Sequence, residues 1–253
     1  MDTSDPFSLA ESNLSELEIT RYPGRGIIAG LDESGEYLTQ LYWIMGRSEN
    51  SRNRILSQDK DERRVYTEAA DPTKVKDPSL IIYNAMREVR GCYIVSNGDQ
   101  TDTAADMIEV SAVSALSLQA LMAERIYEPD APNFTQRITA VSWPRWGDGR
   151  PCIEMSILRK SLFSDGCDRM TYHYDTFEPG LGFCITTYED DDKPLPAFRG
   201  DPLIMPLKGD IKEIASMYWD VLYPDNKVAL AVKFIGLKDK TSAVHIINKY
   251  KKV

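Results

Sequence analysis

Alternation and runs of apolar residues divide the chain into short β-type segments and two helical stretches. Gly26 to Gly30 is a brief apolar run, Asp32-Glu33-Ser34-Gly35 is a turn signal, and Tyr37 to Met45 is rich in β-formers, so the three predict a hairpin. Leu80 to Met86 and Cys92 to Ser96 predict a second pair, joined by a charged turn ending at Gly91. The period then changes. Ala104, Ile108, Ala112, Ala115 and Ala123, with leucines between them and few breakers, predict one long helix over Thr103 to Glu124, capped by Thr101 or Asp102. Strands follow at Ile138 to Trp143 and Pro151 to Leu158, with the turn Trp146-Gly147-Asp148-Gly149 between them, and at Leu181 to Tyr188. Ile211, Ile214, Ala215, Tyr218 and Leu222 mark an amphipathic helix that Pro224 stops. Lys227 to Ile235 and Ala243 to Ile247 are the last strands. Residues 1–20 read as an extension with at most one helical turn, and residues 21–253 as a single domain without repeat or linker. Because the strands come in hairpins rather than in strand–helix alternation, the fold class is α+β with mostly antiparallel sheet.

Composition narrows the classes of function. The 253 residues are 42% hydrophobic and 27% charged, which is globular, and the net charge of −9 argues against DNA or RNA as a partner. The N-terminus is acidic and lacks the apolar run of a signal peptide, and no stretch approaches the ~20 apolar residues of a membrane span. A cytoplasmic protein is expected. The four cysteines form no CxxC pair and read as free thiols in a reducing compartment, and two histidines leave little for a His-based metal site or triad. The acidic run Glu189 to Asp192 reads as a solvated loop.

Against this acidic background the loop GRSENSRNR, residues 46–54, gathers three arginines, two serines and two asparagines after a strand. Arginine offers a rigid fork of donors matched to phosphate or carboxylate oxygens, so the loop is a candidate pocket for an anionic small molecule, or else a surface loop paired with carboxylates. Four other places carry candidate chemistry. Tyr22-Pro23-Gly24-Arg25-Gly26 allows close backbone approach. Tyr83-Asn84 offers a phenol as acid or oxyanion donor. The strand-to-helix turn Ser96-Asn97-Gly98-Asp99 offers Asn97 and a helix start, and the loop at Glu128, with Asn133 and Arg137, offers a general base.

In this order the strings YPGRGIIAG, GRSENSRNR, IIYNAMREV, YIVSNGDQTDT, YEPDAPNFTQRI and VALAVKFI resemble the archaeal-type inosine monophosphate (IMP) cyclohydrolase family, over most of residues 22–236. The resemblance implies a four-layer αββα sandwich like that of the N-terminal-nucleophile hydrolases, no metal or organic cofactor, and closure of the second purine ring of 5-formamidoimidazole-4-carboxamide ribonucleotide (FAICAR) to give IMP and water. It implies Glu128 as base or carboxamide-orienting carboxylate, Tyr83 as acid or oxyanion donor, and Arg25, Arg47 and Arg54 on the phosphate or the formyl group. Ser48, Asn50, Asn53, Asn84, Asn97, Asp102 and Arg137 are implied as further contacts to substrate. The expected partner is a purine nucleotide, and a homo-oligomer is expected on general grounds. The chain departs from the family in its N-terminal segment, in a longer stretch between Trp143 and Glu178, in the acidic run, and at Glu49 and Asn50, where the family has a bulky residue and proline. Two other readings stay open: a self-processing amidohydrolase cleaved at Gly91-Cys92, and a nucleotide-binding protein without catalysis.

Overall fold

A computed structural model describes residues 5–75, 81–111, 116–144, 150–239 and 241–252. Two antiparallel sheets stack face to face between helices. The first sheet is built from β1 (Gly26–Leu31), β2 (Tyr37–Met45), β10 (Leu181–Thr186), β11 (Leu203–Pro206), β12 (Lys227–Gly236) and β13 (Ser242–Asn248), in the order β11-β10-β1-β2-β12-β13. The second holds β3 (Ile55–Gln58), β4 (Arg64–Glu68), β5 (Asn84–Val89), β6 (Cys92–Ser96), β7 (Arg137–Trp143), β8 (Cys152–Lys160) and β9 (Cys167–Tyr174), in sequence order. The hairpins read from the sequence are present at β1–β2, β5–β6 and β7–β8.

Period two sorts the side chains. Ile27, Ala29, Tyr42 and Ile44 of the first sheet meet Val65, Ala85, Val95, Ile138, Ala140 and Met155 of the second in the central core. Ile28, Leu41, Trp43 and Met45 point the other way, under α1 (Pro6–Ile19) and α5 (Ile211–Val221), while Ile94, Val141, Trp143 and Cys152 lie under α3 (Gln100–Val110) and α4 (Leu118–Leu121). Strands covered on both faces are apolar at nearly every position, which is why β1 reads as an unbroken run and β2 as one interrupted only by the buried Thr39 and Gln40.

Four expectations need correction. The stretch expected as one helix over 103–124 is divided. Helix α3 starts at Gln100 and ends at Val110, Ser111 is extended, and α4 begins after the Ser117 cap, with residues 112–115 outside the described residues. The stop has a local cause: the Arg90 guanidinium, on the β5–β6 turn, donates to the Ile108 and Ser111 carbonyls at 3.2 and 2.6 Å, supplying cationic donors where the helix ends. Neither Thr101 nor Asp102 caps α3; both lie inside its first turn. Residues 6–19 form a full helix, not one turn. Asp5 accepts from the Phe7 and Ser8 amides, Pro6 stands at the first helical position, Ala10 and Leu17 are buried, and Asn13 donates to the Ile204 carbonyl on β11 at 2.9 Å. The acidic run is not simply solvated, as the site shows. The turn expected at Trp146 to Gly149 lies outside the described residues, as does Leu80. No helix among the described residues is long and apolar enough to cross a membrane.

Candidate functional site

The cavity that gathers the loop arginines has a volume of about 290 Å³ and lies at the seam where one end of each sheet meets the other. Its walls come from both sheets. Tyr22 and Arg25 precede β1, Tyr188 follows β10, Arg54 precedes β3, and Glu128 to Thr135 form the loop ahead of β7. The chain crosses from the first sheet to the second through α2 (Glu49–Arg52), a single turn in which the Ser48 and Ser51 hydroxyls and amides cap one another. That turn explains the loop's composition: the serines build it, and the arginines leave it in different directions.

Arg25 enters the cavity because the backbone before it runs tightly against the neighbouring strand. Gly24 sits at φ +73°, and a Cβ there would lie 2.1 Å from Thr187 Oγ1. The Arg25 amide donates to that hydroxyl at 3.0 Å, and its guanidinium donates to Glu128 Oε1 at 2.8 Å. Burial works against the charge on Arg25, but Glu128 and the phenols of Tyr83, Tyr188 and Tyr42 outweigh it and hold the guanidinium firmly protonated. Arg25 Nε is buried without a protein partner.

Glu128 is only 6% exposed. Its amide donates to the Thr135 carbonyl at 2.8 Å, which closes the loop, and Asn97 reaches Oε1 at 3.5 Å. Both side-chain contacts fall on Oε1, so Oε2 faces no protein donor among the described residues. Thr135 is tied to Asp130 and to the Tyr188 hydroxyl, and Tyr188 stacks on Tyr22 with ring centroids 5.9 Å apart. Burial pushes the Tyr188 phenol up to about 12. Beside the cavity, the Tyr42 and Tyr83 hydroxyls are 2.6 Å apart, and burial, then the neighbouring Tyr83, raises Tyr42 well above the ordinary phenol range. Tyr42 therefore stays protonated.

The three loop arginines have different surroundings. Arg52 clamps the turn, donating to the Gly46 carbonyl at 2.9 Å and to Asn226. Arg47 lies over the Tyr22 ring, 4.8 Å from its centroid, and pairs with Asp191 of the acidic run. Arg54 is 2% exposed, donates from Nε to the Ser51 carbonyl at 2.8 Å, and has no carboxylate partner among the described residues. A guanidinium held out of water without a counter-charge is costly, and an anion in the cavity removes that cost.

Of the residues singled out in the sequence, Arg25, Arg47, Ser48, Asn50, Arg54, Glu128 and Asn133 line this one cavity, and Asn50 Oδ1 is buried there without a protein partner. Tyr83 lies close enough to Arg25 to act on its charge but does not line the cavity. Asn97 stands behind Glu128, held by Gln136, Ile138 and Gln100. The others point elsewhere. Both amide atoms of Asn53 are engaged by the Asp71 backbone, Asn84 donates to Asp102 beside Arg87, and Arg137 pairs with Asp99 and Gln100 rather than with Glu128. Sequence reasoning left Tyr22, Ser51, Thr135, Tyr188 and Asp191 out of the site. Tyr22 and Thr135 lay inside the quoted strings, whereas Tyr188 and Asp191 come from a distant hairpin and carry no local signal.

The Gly91-Cys92 bond gives no support to self-processing. Arg90 and Gly91 form the two-residue turn of the β5–β6 hairpin, and Cys92 is buried beneath α3 and α4. Burial raises its thiol well above the usual range, with Glu154 and Cys152 adding to the effect, the opposite of what an activated nucleophile needs.

A family model described as IMP cyclohydrolase-like protein matches residues 22–240. No curated protein matches the chain.

Proposed function

The chain belongs to the IMP cyclohydrolase-like family, and from that premise we propose that it closes the second purine ring of FAICAR to give IMP and water. The observation that carries this reading is the shared cavity of Arg54, a buried guanidinium with no carboxylate partner, and the Arg25–Glu128 pair. The first supports an anionic group on the substrate. The second supplies a carboxylate and a cation side by side for proton transfer and charge stabilisation.

In this reading the 5′-phosphate lies against Arg54 and Arg47, near Ser48 and Asn50. The carboxamide nitrogen attacks the formyl carbon. Glu128 takes a proton from that poor nucleophile through the free Oε2, while Arg25 holds Oε1 and keeps the carboxylate aimed. Negative charge develops on the formyl oxygen, and Arg25, which lines the cavity, stabilises it. Tyr83, behind the cavity wall and hydrogen-bonded to the Tyr42 hydroxyl, gives that oxygen one proton by way of a bridging water, and the protonated Glu128 returns the other. The C–O bond breaks as water leaves, the formamide nitrogen gives up its N–H proton to restore Tyr83, and the C=N bond completes the ring. Each such role is typically worth ~10²–10⁴ in rate, and holding both reacting groups of one molecule in contact contributes further.

The test is to incubate the purified protein with FAICAR, without added metal, and follow IMP formation by ultraviolet absorbance. Turnover at ~1 s⁻¹ or faster, inside the usual enzyme range, is expected. Binding of FAICAR or IMP without turnover would identify a nucleotide pocket that has lost catalysis, and neither binding nor turnover would overturn the reading.

A further inference from the structure

The acidic run Glu189 to Asp192 belongs to a loop whose neck is closed. Tyr188 bridges to Ala197, and the Glu189 amide donates to the Pro196 carbonyl at 2.9 Å. One side of the loop is fixed to the cavity: Tyr188 and Leu195 form part of the wall, and the Leu195 amide points at Asn133 Oδ1. Asp190 accepts from the Arg21 amide at 3.2 Å, and its neighbour Asp191 pairs with Arg47. Asp192 is exposed and makes no such contact among the described residues. The loop therefore delivers one particular carboxylate to one particular guanidinium of the cavity.

We propose that Asp191 is a specificity-determining residue of the anion site, a resident carboxylate that occupies Arg47 until a phosphate displaces it. The inference rests on the reading that the cavity holds a phosphate ester. Arg47 and Asp191 are both about one-third exposed, so their pairing is worth little enough to be exchanged. A carboxylate carries one charge and two oxygens. A phosphate monoester carries nearly two charges and three free oxygens, so it can engage Arg47 and the unpaired Arg54 together. Small monoanions gain less by displacing Asp191, and the loop selects for the dianion.

Calorimetric titration of the full chain with IMP, inorganic phosphate and inosine tests this in the wild type, D191N and D192N. Asp191→Asn removes the competitor, so IMP and phosphate are expected to bind roughly three- to tenfold more tightly. Inosine, which has no phosphate, is expected to bind as before. Asp192→Asn changes the net charge equally without touching Arg47 and is expected to match the wild type. Equal affinities in D191N and wild type, weaker binding in D191N, or the same tightening in D192N would each overturn the proposal. Phosphate binding gained by D191N while IMP binds to neither protein would support the resident carboxylate and count against the nucleotide reading. No binding of either anion to any of the three proteins would remove both.

Discussion

Replacing Arg54 by methionine separates what this residue does for the fold from what it does for a ligand. The guanidinium is 2% exposed, and its hydrogen bond among the described residues runs from Nε to the Ser51 carbonyl at 2.8 Å. Losing a bond from a charged donor costs about 1.5–3 kcal/mol. Against that, the effective cost of burying an ion without a partner is several kcal/mol, and even buried ion pairs replaced by apolar groups of similar volume often leave a protein about 1–4 kcal/mol more stable. Methionine keeps the length of the side chain and adapts to the cavity wall. The balance favours the variant by about 1–2 kcal/mol, or about 2–8 °C in Tm for a chain of this size. The assay is a thermal melt with and without IMP. Wild type at a hundred times Kd gains about 2.7 kcal/mol from the ligand, whereas Arg54→Met is expected to start higher and gain almost nothing. A variant that melts below wild type yet keeps the full ligand shift would refute the reasoning, because Arg54 would then be a satisfied structural group.

Glu128→Gln is expected to lower kcat about 10²-fold or more with a smaller change in KM; near-normal turnover would remove Glu128 as the base. Tyr83→Phe is expected to act on kcat to a similar degree, and an unchanged kcat would return the proton transfer to Arg25 or water. Gly24→Ala forces a side chain into a left-handed backbone and against Thr187 Oγ1; a loss of about 1–3 kcal/mol in chemical denaturation is expected, with turnover falling as Arg25 is displaced. Stability is also expected to fall at high pH. Tyr93, Tyr174 and Tyr188 have phenols raised from 10.0 to about 12, each chiefly by burial, and burial also raises Tyr42 well above the ordinary phenol range. The unfolded chain then releases protons that the fold retains, so stability is full below pH 10 and declines from 10 to 12. A denaturation midpoint that stays flat across that window would contradict the shifts.

The strands that could be read from the sequence were those whose pairing is local or whose apolar run is long. Strands β1, β2, β7, β8 and β12 announce themselves because both of their faces are covered. Strands β3, β4 and β9 do not: β9 alternates half-buried and exposed residues, with Asp168, Arg169 and His173 among them, and only its place beside β8 makes it a strand. The division of the expected long helix depends on Arg90, a side chain from another element. For the site, residue type was legible but direction was not. Asn53, Asn84 and Arg137 are as suitable for a ligand as Asn50 and Arg25, yet each is taken up by a nearby carboxylate, amide or backbone group. Tyr188 and Asp191 entered only through tertiary placement.

The Arg25–Glu128 bond joins a residue leading into the first sheet to one leading into the second, and the chain between Met45 and Ile55 crosses the same seam. These two groups therefore come into register only while the two sheets are docked. During denaturation, a state that keeps its hairpins but loosens the contact between the layers would retain its circular dichroism and lose its turnover. Loss of activity in such an experiment would mark the parting of the layers, ahead of the melting of the strands.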